Sequence, residues 1–291
     1  MKQAHRQAGA AFFITLAVVM LALLALVSPA VAAATEVVTL GGDLNSSQRQ
    51  EMLDLFGVNE DDIAVLQVTI DEERSYLQGL VPDSKIGSRS ISSVYVRLKD
   101  DGSGIAVQTK NITYVTEQTY ANALVTAGIA DADVFAAAPF AVSGTAALTG
   151  VFKAFEEATG ETIPEAAKEA ATEELVDTAD IGEEVGDPDA IAELVKRAKE
   201  EIVSRGLDDE AAIREVLVRI ALELNLNLND HQIDRLAKVL ADIQKLDLDL
   251  DKIQGQLKDF QDSIGISSEE AAGIWASIKS LFQRVWDAIF G

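Results

Sequence analysis

Over residues 91–98 the apolar residues Ile91, Val94, Val96 and Leu98 interleave with Tyr95 and Arg97. This is the period-two pattern of a strand with one buried face. Asp100-Asp101-Gly102-Ser103-Gly104 then reads as a hairpin loop, with residues 105–109 as the returning partner strand. Glu36-Val37-Val38-Thr39-Leu40 predicts an earlier strand, and residues 63–70, β-branched and bounded by acids, predict another. Residues 134–138 predict a short buried strand that ends before Pro139. Between these runs the period changes. A helix is expected from a cap at Asn45 or Ser46 to Phe56, stopped by Gly57. A short helix or turn follows over residues 71–80, before Pro82. Two more helices are expected, residues 116–126 ending at Gly128 and residues 145–158 closed by Gly160. The order is β-α-β-α-β-β-α-β-α, which implies a mixed sheet with helices on at least one face.

Beyond residue 160 the pattern is almost purely helical. Helices are expected over residues 165–177, 190–204 (after Asp187-Pro188-Asp189), 210–224 (capped by Asp208) and 230–245 (capped by Asn229 or Asp230). Two more follow over residues 252–264 and from a cap at Ser267 or Ser268 to Phe290. The fold class is therefore α+β: an N-terminal mixed α/β domain over residues 35–160, then an all-α helical region over residues 161–291.

The start of the chain reads differently. Lys2 and Arg6 precede an apolar run over residues 10–27, broken only by Thr15, and Ser28-Pro29-Ala30-Val31-Ala32-Ala33-Ala34 follows. A positive start, an apolar stretch and small-x-small tripeptides make a secretory signal peptide over residues 1–34, cut between Ala32 and Ala34. The alternative is an uncleaved N-terminal membrane anchor. No second long apolar run follows, so no transmembrane span is expected in the mature form.

Composition narrows the chemistry. The chain has 291 residues and a formal charge of −24, from 24 bases against 48 acids. That balance argues against nucleic acid, whose phosphates need Lys and Arg. There is no Cys, and only His5 and His231 among histidines. Disulfides, zinc ribbons and thiol nucleophiles are excluded, and no metal or cofactor is expected. His231 lies at a helix start, where exposure is the ordinary outcome. Asp247, Asp249 and Asp251 alternate as calcium ligands do, but an EF-hand needs Gly at position six and Glu at position twelve. Lys252 and Lys258 stand there. Only weak, nonspecific Ca²⁺ attraction is left.

Two strand–glycine–helix junctions are candidate anion or ligand sites: Gly41, Gly42 and Asp43, and Ser143, Gly144 and Thr145. Backbone N–H groups at such a junction converge on the positive end of a helix dipole. The competing reading is plain capping and a tight turn. Neither junction carries a Walker A or GxGxxG pattern. Glu72 and Glu73 beside Tyr76 suit acid/base chemistry, but a solvated helix face is the stronger reading of them. The last helix puts Trp275, Ile278, Phe282, Trp286 and Phe290 on one apolar face. That face either closes the helical bundle or meets a membrane interface or protein partner.

Six stretches resemble the YpuA-like family, a secreted domain of unknown function (domain of unknown function 1002). They are IGSRSISSVYV (residues 86–96), NITYVTEQTYANALVTAGI (111–129), AAPFAVSGTAALTGVFKAFEEATG (137–160), VTLGGDLNSSQ (38–48), LNLNDHQIDRL (226–236) and LDLDLDKI (246–253). The resemblance implies export and the same two-part layout, and brings no activity with it. His231 stands where that family usually has an acid, which weakens any catalytic role for it. The residues support three functional readings. The first is a non-catalytic extracellular or envelope-associated binding or structural protein. The second is an extracellular enzyme using carboxylates and hydroxyls near Ser143, Thr145, Asp43 and Glu73 on an envelope polymer. The third is a membrane-interface protein acting through its last helix.

Overall fold

A computed structural model of the chain describes residues 35–80 and 86–246. The expected helices over residues 252–264 and 267–290, the Asp247–Asp251 run and the leader lie outside the described residues. Within them, the element order is the expected one. Strands β1 (Glu36–Gly41), β2 (Ala64–Val68), β3 (Ser93–Leu98), β4 (Ala106–Ile112) and β5 (Ala132–Val142) form one sheet in the order β2-β1-β3-β5-β4. Helix α1 (Ser46–Phe56) links β1 to β2, α2 (Ile70–Leu77) follows β2, α3 (Glu117–Thr126) links β4 to β5, and α4 (Thr145–Thr159) follows β5. The fold is α+β, a mixed sheet with helices on both faces and further helices behind it.

Register decides where a site can lie. β1 runs parallel to β2 (Val37 opposite Ala64) and β4 parallel to β5 (Val107 opposite Val134). β3 runs antiparallel to both its neighbours, with Val96 opposite Val37 and Val94 opposite Ala136. Four strands therefore point one way, and their carboxyl ends share one edge. α1, α2, α3 and α4 all start from that edge. In open α/β sheets this is where ligands collect.

The hairpin expected between residues 91–98 and 105–109 does not form. β3 and β4 are antiparallel, but β5 lies between them. Two bonds at Asp131 explain the insertion: its carbonyl accepts from the Lys99 amide (2.6 Å) and its Oδ1 from the Gly104 amide (2.8 Å). The two ends of the Asp-Gly loop thus pin the start of β5 rather than each other. β5 itself is narrow, with Ala132, Ala136, Ala137 and Ala138 all buried. It also runs past Pro139. Pairing with β3 ends at Ala137, so the missing proline N–H deprives no β3 residue of a partner. On the other side β4 is irregular at Asn111, whose Nδ2 donates to the Ala138 carbonyl at 2.7 Å.

The two sheet faces are covered unequally. Val38, Leu40 and Ala137 pack under Met52 and Leu53 of α1, with Phe56 against Phe135 at 5.5 Å between ring centres. The other face carries Val37, Val94, Val96, Val134 and Ala136 under Tyr120, Leu124, Leu148 and Phe152. That core continues into Leu175, Val176 and Ala179 of α5 (Glu165–Val185), so apolar packing crosses residue 160 without a break. α5 runs beyond the expected stop near Asp177, to the left-handed Gly186. Helices α6 (Pro188–Arg205), α7 (Glu210–Glu223) and α8 (Asp230–Gln244) add a second core around Ile191, Leu194, Leu217, Ile220, Ile233 and Leu240. The cap of α7 is Asp209, not Asp208: the carboxylate three residues before Ala212 reaches its amide. Where α3, α5 and α6 meet, Lys199 and Glu174 form an ion pair at 2.5 Å, each 1% exposed.

Candidate functional site

The two junctions named from sequence have different local roles. At the first, the amides are already engaged. Gly41 N–H donates to Ser93 Oγ (3.2 Å), Gly42 N–H to the Val68 carbonyl (2.8 Å) and Asp43 N–H to the Ser90 carbonyl (3.0 Å). Asp43 Oδ2 accepts from the Ser90 amide at 2.8 Å. A Cβ on Gly41 would lie 2.5 Å from the Ser90 carbonyl oxygen. The junction is thus a seat for the segment that leads into β3.

The second junction opens onto a cleft of about 420 Å³ at the carboxyl edge of the sheet. Ser143, Gly144 and Thr145 line it, with Glu73 from α2, Arg89 and Ile91 from the segment before β3, and Phe140 from β5. Gly144 is the N-cap of α4 at φ 97° and supplies no side-chain cap. A Cβ there would meet Ile112 at 2.4 Å and the Tyr120 hydroxyl at 2.6 Å, so only glycine fits. Tyr120, fully buried, fixes the turn by donating to the Gly144 carbonyl at 2.5 Å.

Glu73 is the chemical centre of the cleft. It lies on the inner stripe of α2, between Ile70 and Leu77, and is 1% exposed. Its Oε1 accepts from the Thr145 hydroxyl at 2.6 Å, and Thr145 Oγ1 lies 3.2 Å from Ser143 Oγ. Its Oε2 is buried with no hydrogen-bond partner. Burial pushes the Glu73 carboxyl up to about 7; the Thr145 bond and Arg74 pull it down, and the charge of Asp43 pushes it further up. The structure thus brings Ser143, Thr145 and Glu73 together, with Asp43 behind them.

The other sequence candidates fall elsewhere. Glu72 turns back to the Thr69 amide and pairs with Lys153 at 2.6 Å, so it caps α2 and stays at the surface. Tyr76 packs edge-on against Phe152. His231 is exposed in the first turn of α8. Trp275, Ile278, Phe282, Trp286 and Phe290 lie outside the described residues. Among the described residues there is no cluster of His, Cys, Asp or Glu able to hold a metal ion, and no helix long and apolar enough to cross a membrane. Sequence reasoning missed Arg89, Tyr114, Phe140 and Glu183 as cleft residues. It also favours a solvated face for Glu73, which the structure corrects: the spacing Ile70, Glu73, Leu77 puts that acid on the apolar stripe of α2, and it is buried.

Taken together, the sheet and its cleft define an α+β protein with a buried acid at the carboxyl edge of a mixed sheet. Residues 40–260 match the family described as "Protein of unknown function (DUF1002)". The chain is 39% identical over 277 residues to "Uncharacterized protein YpuA" of Bacillus subtilis (strain 168), covering 94% of this chain and 95% of that protein. It belongs to this family. No solved structure matches it.

Proposed function

We propose that the protein is an exported, non-catalytic binding protein of the cell envelope or its surroundings, with its ligand held in the cleft at the carboxyl edge of the sheet. The observation that carries this reading is the unpartnered Oε2 of Glu73, 1% exposed in a cleft wall. A buried polar atom without a partner costs about 1–3 kcal/mol, and a bound ligand removes that cost. Export is supported by the Pro29 break and the Ala tripeptides after the apolar run. The test is a thermal-shift screen of the purified chain followed by Ser143→Phe, which fills the cleft from an incompletely buried position. Compounds that raise the melting temperature of the wild type should lose that effect in the variant. Unchanged shifts in the variant would remove the cleft from the reading.

A second reading is favoured by one further observation, the chain from Ser143 through the Thr145 hydroxyl to Glu73. An ionised Glu73 can draw a proton along it, so that Ser143 adds to an ester carbonyl of an envelope polymer; the C–O bond to the alcohol then breaks, the acyl group stays on Ser143 and the alcohol leaves with the proton returned from Glu73. Ser143→Ala would then abolish turnover and leave binding in place. The reading that uses the last helix at a membrane concerns residues outside those described.

A further inference from the structure

We propose that the cleft takes a carboxylate with an apolar body, the carboxylate seated on the first turn of α4 and sharing a proton with Glu73 Oε2. This rests on the binding reading above and names its ligand class.

Two independent features converge on one point. The first is the N-terminus of α4. The caps of α1, α2, α3, α6, α7 and α8 are side chains: Asn45, Thr69, Thr116, Asp187, Asp209 and Asn229. α5 starts at Pro164, also without a side-chain cap, and α4 starts at Gly144, where Ile112 and Tyr120 leave no room for one. Its leading amides therefore point at whatever occupies the cleft, and a helix N-terminus favours an anion. The second is Glu73. Its Oε1 is occupied by the Thr145 hydroxyl, and its Oε2 is buried without a hydrogen-bond partner. In the acid form, Oε2 is a hydrogen-bond donor with no acceptor of its own. An anionic oxygen held by the α4 amides supplies that acceptor.

The charges around Glu73 select the kind of anion. Asp43 faces it from the β1–α1 loop and Arg74 stands beside it on α2. Tyr120 of α3 senses its charge, and Glu183 of α5 and Arg89 lie in the cleft wall. Arg89 is exposed, and the acid Glu183 lines the same cleft, so the site has no excess of cations, within a chain of charge −24. A phosphate dianion meets net repulsion there. A carboxylate that arrives with one proton leaves the charge of the site unchanged. Ile91, Phe140 and Val142 give the rest of such a ligand an apolar wall.

Because Glu73 titrates at about 7, each carboxylate bound above that pH must bring a proton with it. The probe is benzoate, titrated into the full chain between pH 5.5 and 8.5 at constant ionic strength and followed by the Thr145 and Ala146 amide signals. Affinity should be constant in the acid range and fall by about tenfold per pH unit above about 7. Glu73→Gln keeps the donor and loses the titration, so its affinity should stay flat across the range. Inorganic phosphate should bind more weakly than benzoate. A wild-type affinity without a pH slope, or the wild-type slope persisting in Glu73→Gln, overturns the proposal. If benzoate fails while another compound binds in a manner lost in Ser143→Phe, the carboxylate proposal falls and the binding reading stands. If nothing binds in that manner, both fall.

Discussion

Among the described residues, two buried acids, Glu73 and Glu174, sit under the same burial and opposite circumstances. At the junction of α3, α5 and α6, Glu174 faces Lys199 at 2.5 Å and accepts from the Thr126 hydroxyl. Lys199 in turn donates to Thr126 Oγ1 and to the Asn122 carbonyl, both at 2.8 Å. At the sheet edge, Glu73 has a single bond, from Thr145, and an oxygen left over. The first acid has a countercharge against Oε1 and a hydroxyl against Oε2, and a paired charge is how a buried acid is tolerated inside a protein. The second is held in a way that raises its proton affinity and leaves a polar atom waiting. Burial alone does not separate a structural acid from a candidate functional one; a buried countercharge does.

The strongest way to break this comparison is to remove Lys199. Lys199→Met leaves Glu174 unpaired and should cost about 3–5 kcal/mol in chemical denaturation, with much of the loss recovered in the double variant Lys199→Met/Glu174→Met. A loss under about 1 kcal/mol would mean that Glu174 is not held as a charge. Glu73→Gln should do the opposite. The carboxyl is raised from 4.5 to about 7, so the folded state keeps its proton after the unfolded chain has lost it. Stability from this group is intact below about pH 4.5, declines as pH rises through about 7, and is level beyond. Glu73→Gln should therefore match the wild type at pH 4 and be more stable at pH 8 by about 3 kcal/mol. Equal stabilities at pH 8 would show that Glu73 is solvated after all. The smallest effect tests the surroundings. Asn45→Ala at α1 and Asn229→Ala at α8 each remove a capping box and should each cost about 1 kcal/mol. Similar losses would confine the contrast between the two regions to their buried acids.

Local chemistry was largely readable from the sequence. Asn45 and Asn229 cap their helices because a short polar side chain reaches an amide within three residues, and Gly57, Gly128 and Gly160 end theirs in the left-handed conformation. What could not be read depended on distant partners. Nothing within residues 91–109 says that β5 will come between β3 and β4; that is decided at Asp131. Asp71-Glu72-Glu73 reads as one acidic run, yet its members diverge once α4 is in place, with Glu72 going to Lys153 and Glu73 to Thr145. Lys199 and Glu174 look like surface charges until α3 covers them. Of the candidate site, Ser143, Gly144 and Thr145 were visible as a junction. Their acid partner was visible only as one of many.

The position of β5 also constrains how the chain reaches its native state. β1, β2 and β3 are neighbours in the sheet and can pair as soon as residue 98 has emerged. β4 cannot close on β3, because the slot between them belongs to a strand that ends at Val142. The strand order predicts assembly as two blocks, β2-β1-β3 and the parallel β4-α3-β5 unit, with the docking of one on the other through β5 as the late event. Contacts of this sequence separation slow folding. A pulse of hydrogen exchange during refolding should find the amides that join β3 to β5 protected after those that join β1 to β2. Simultaneous protection of both sets would mean that the sheet forms in a single step.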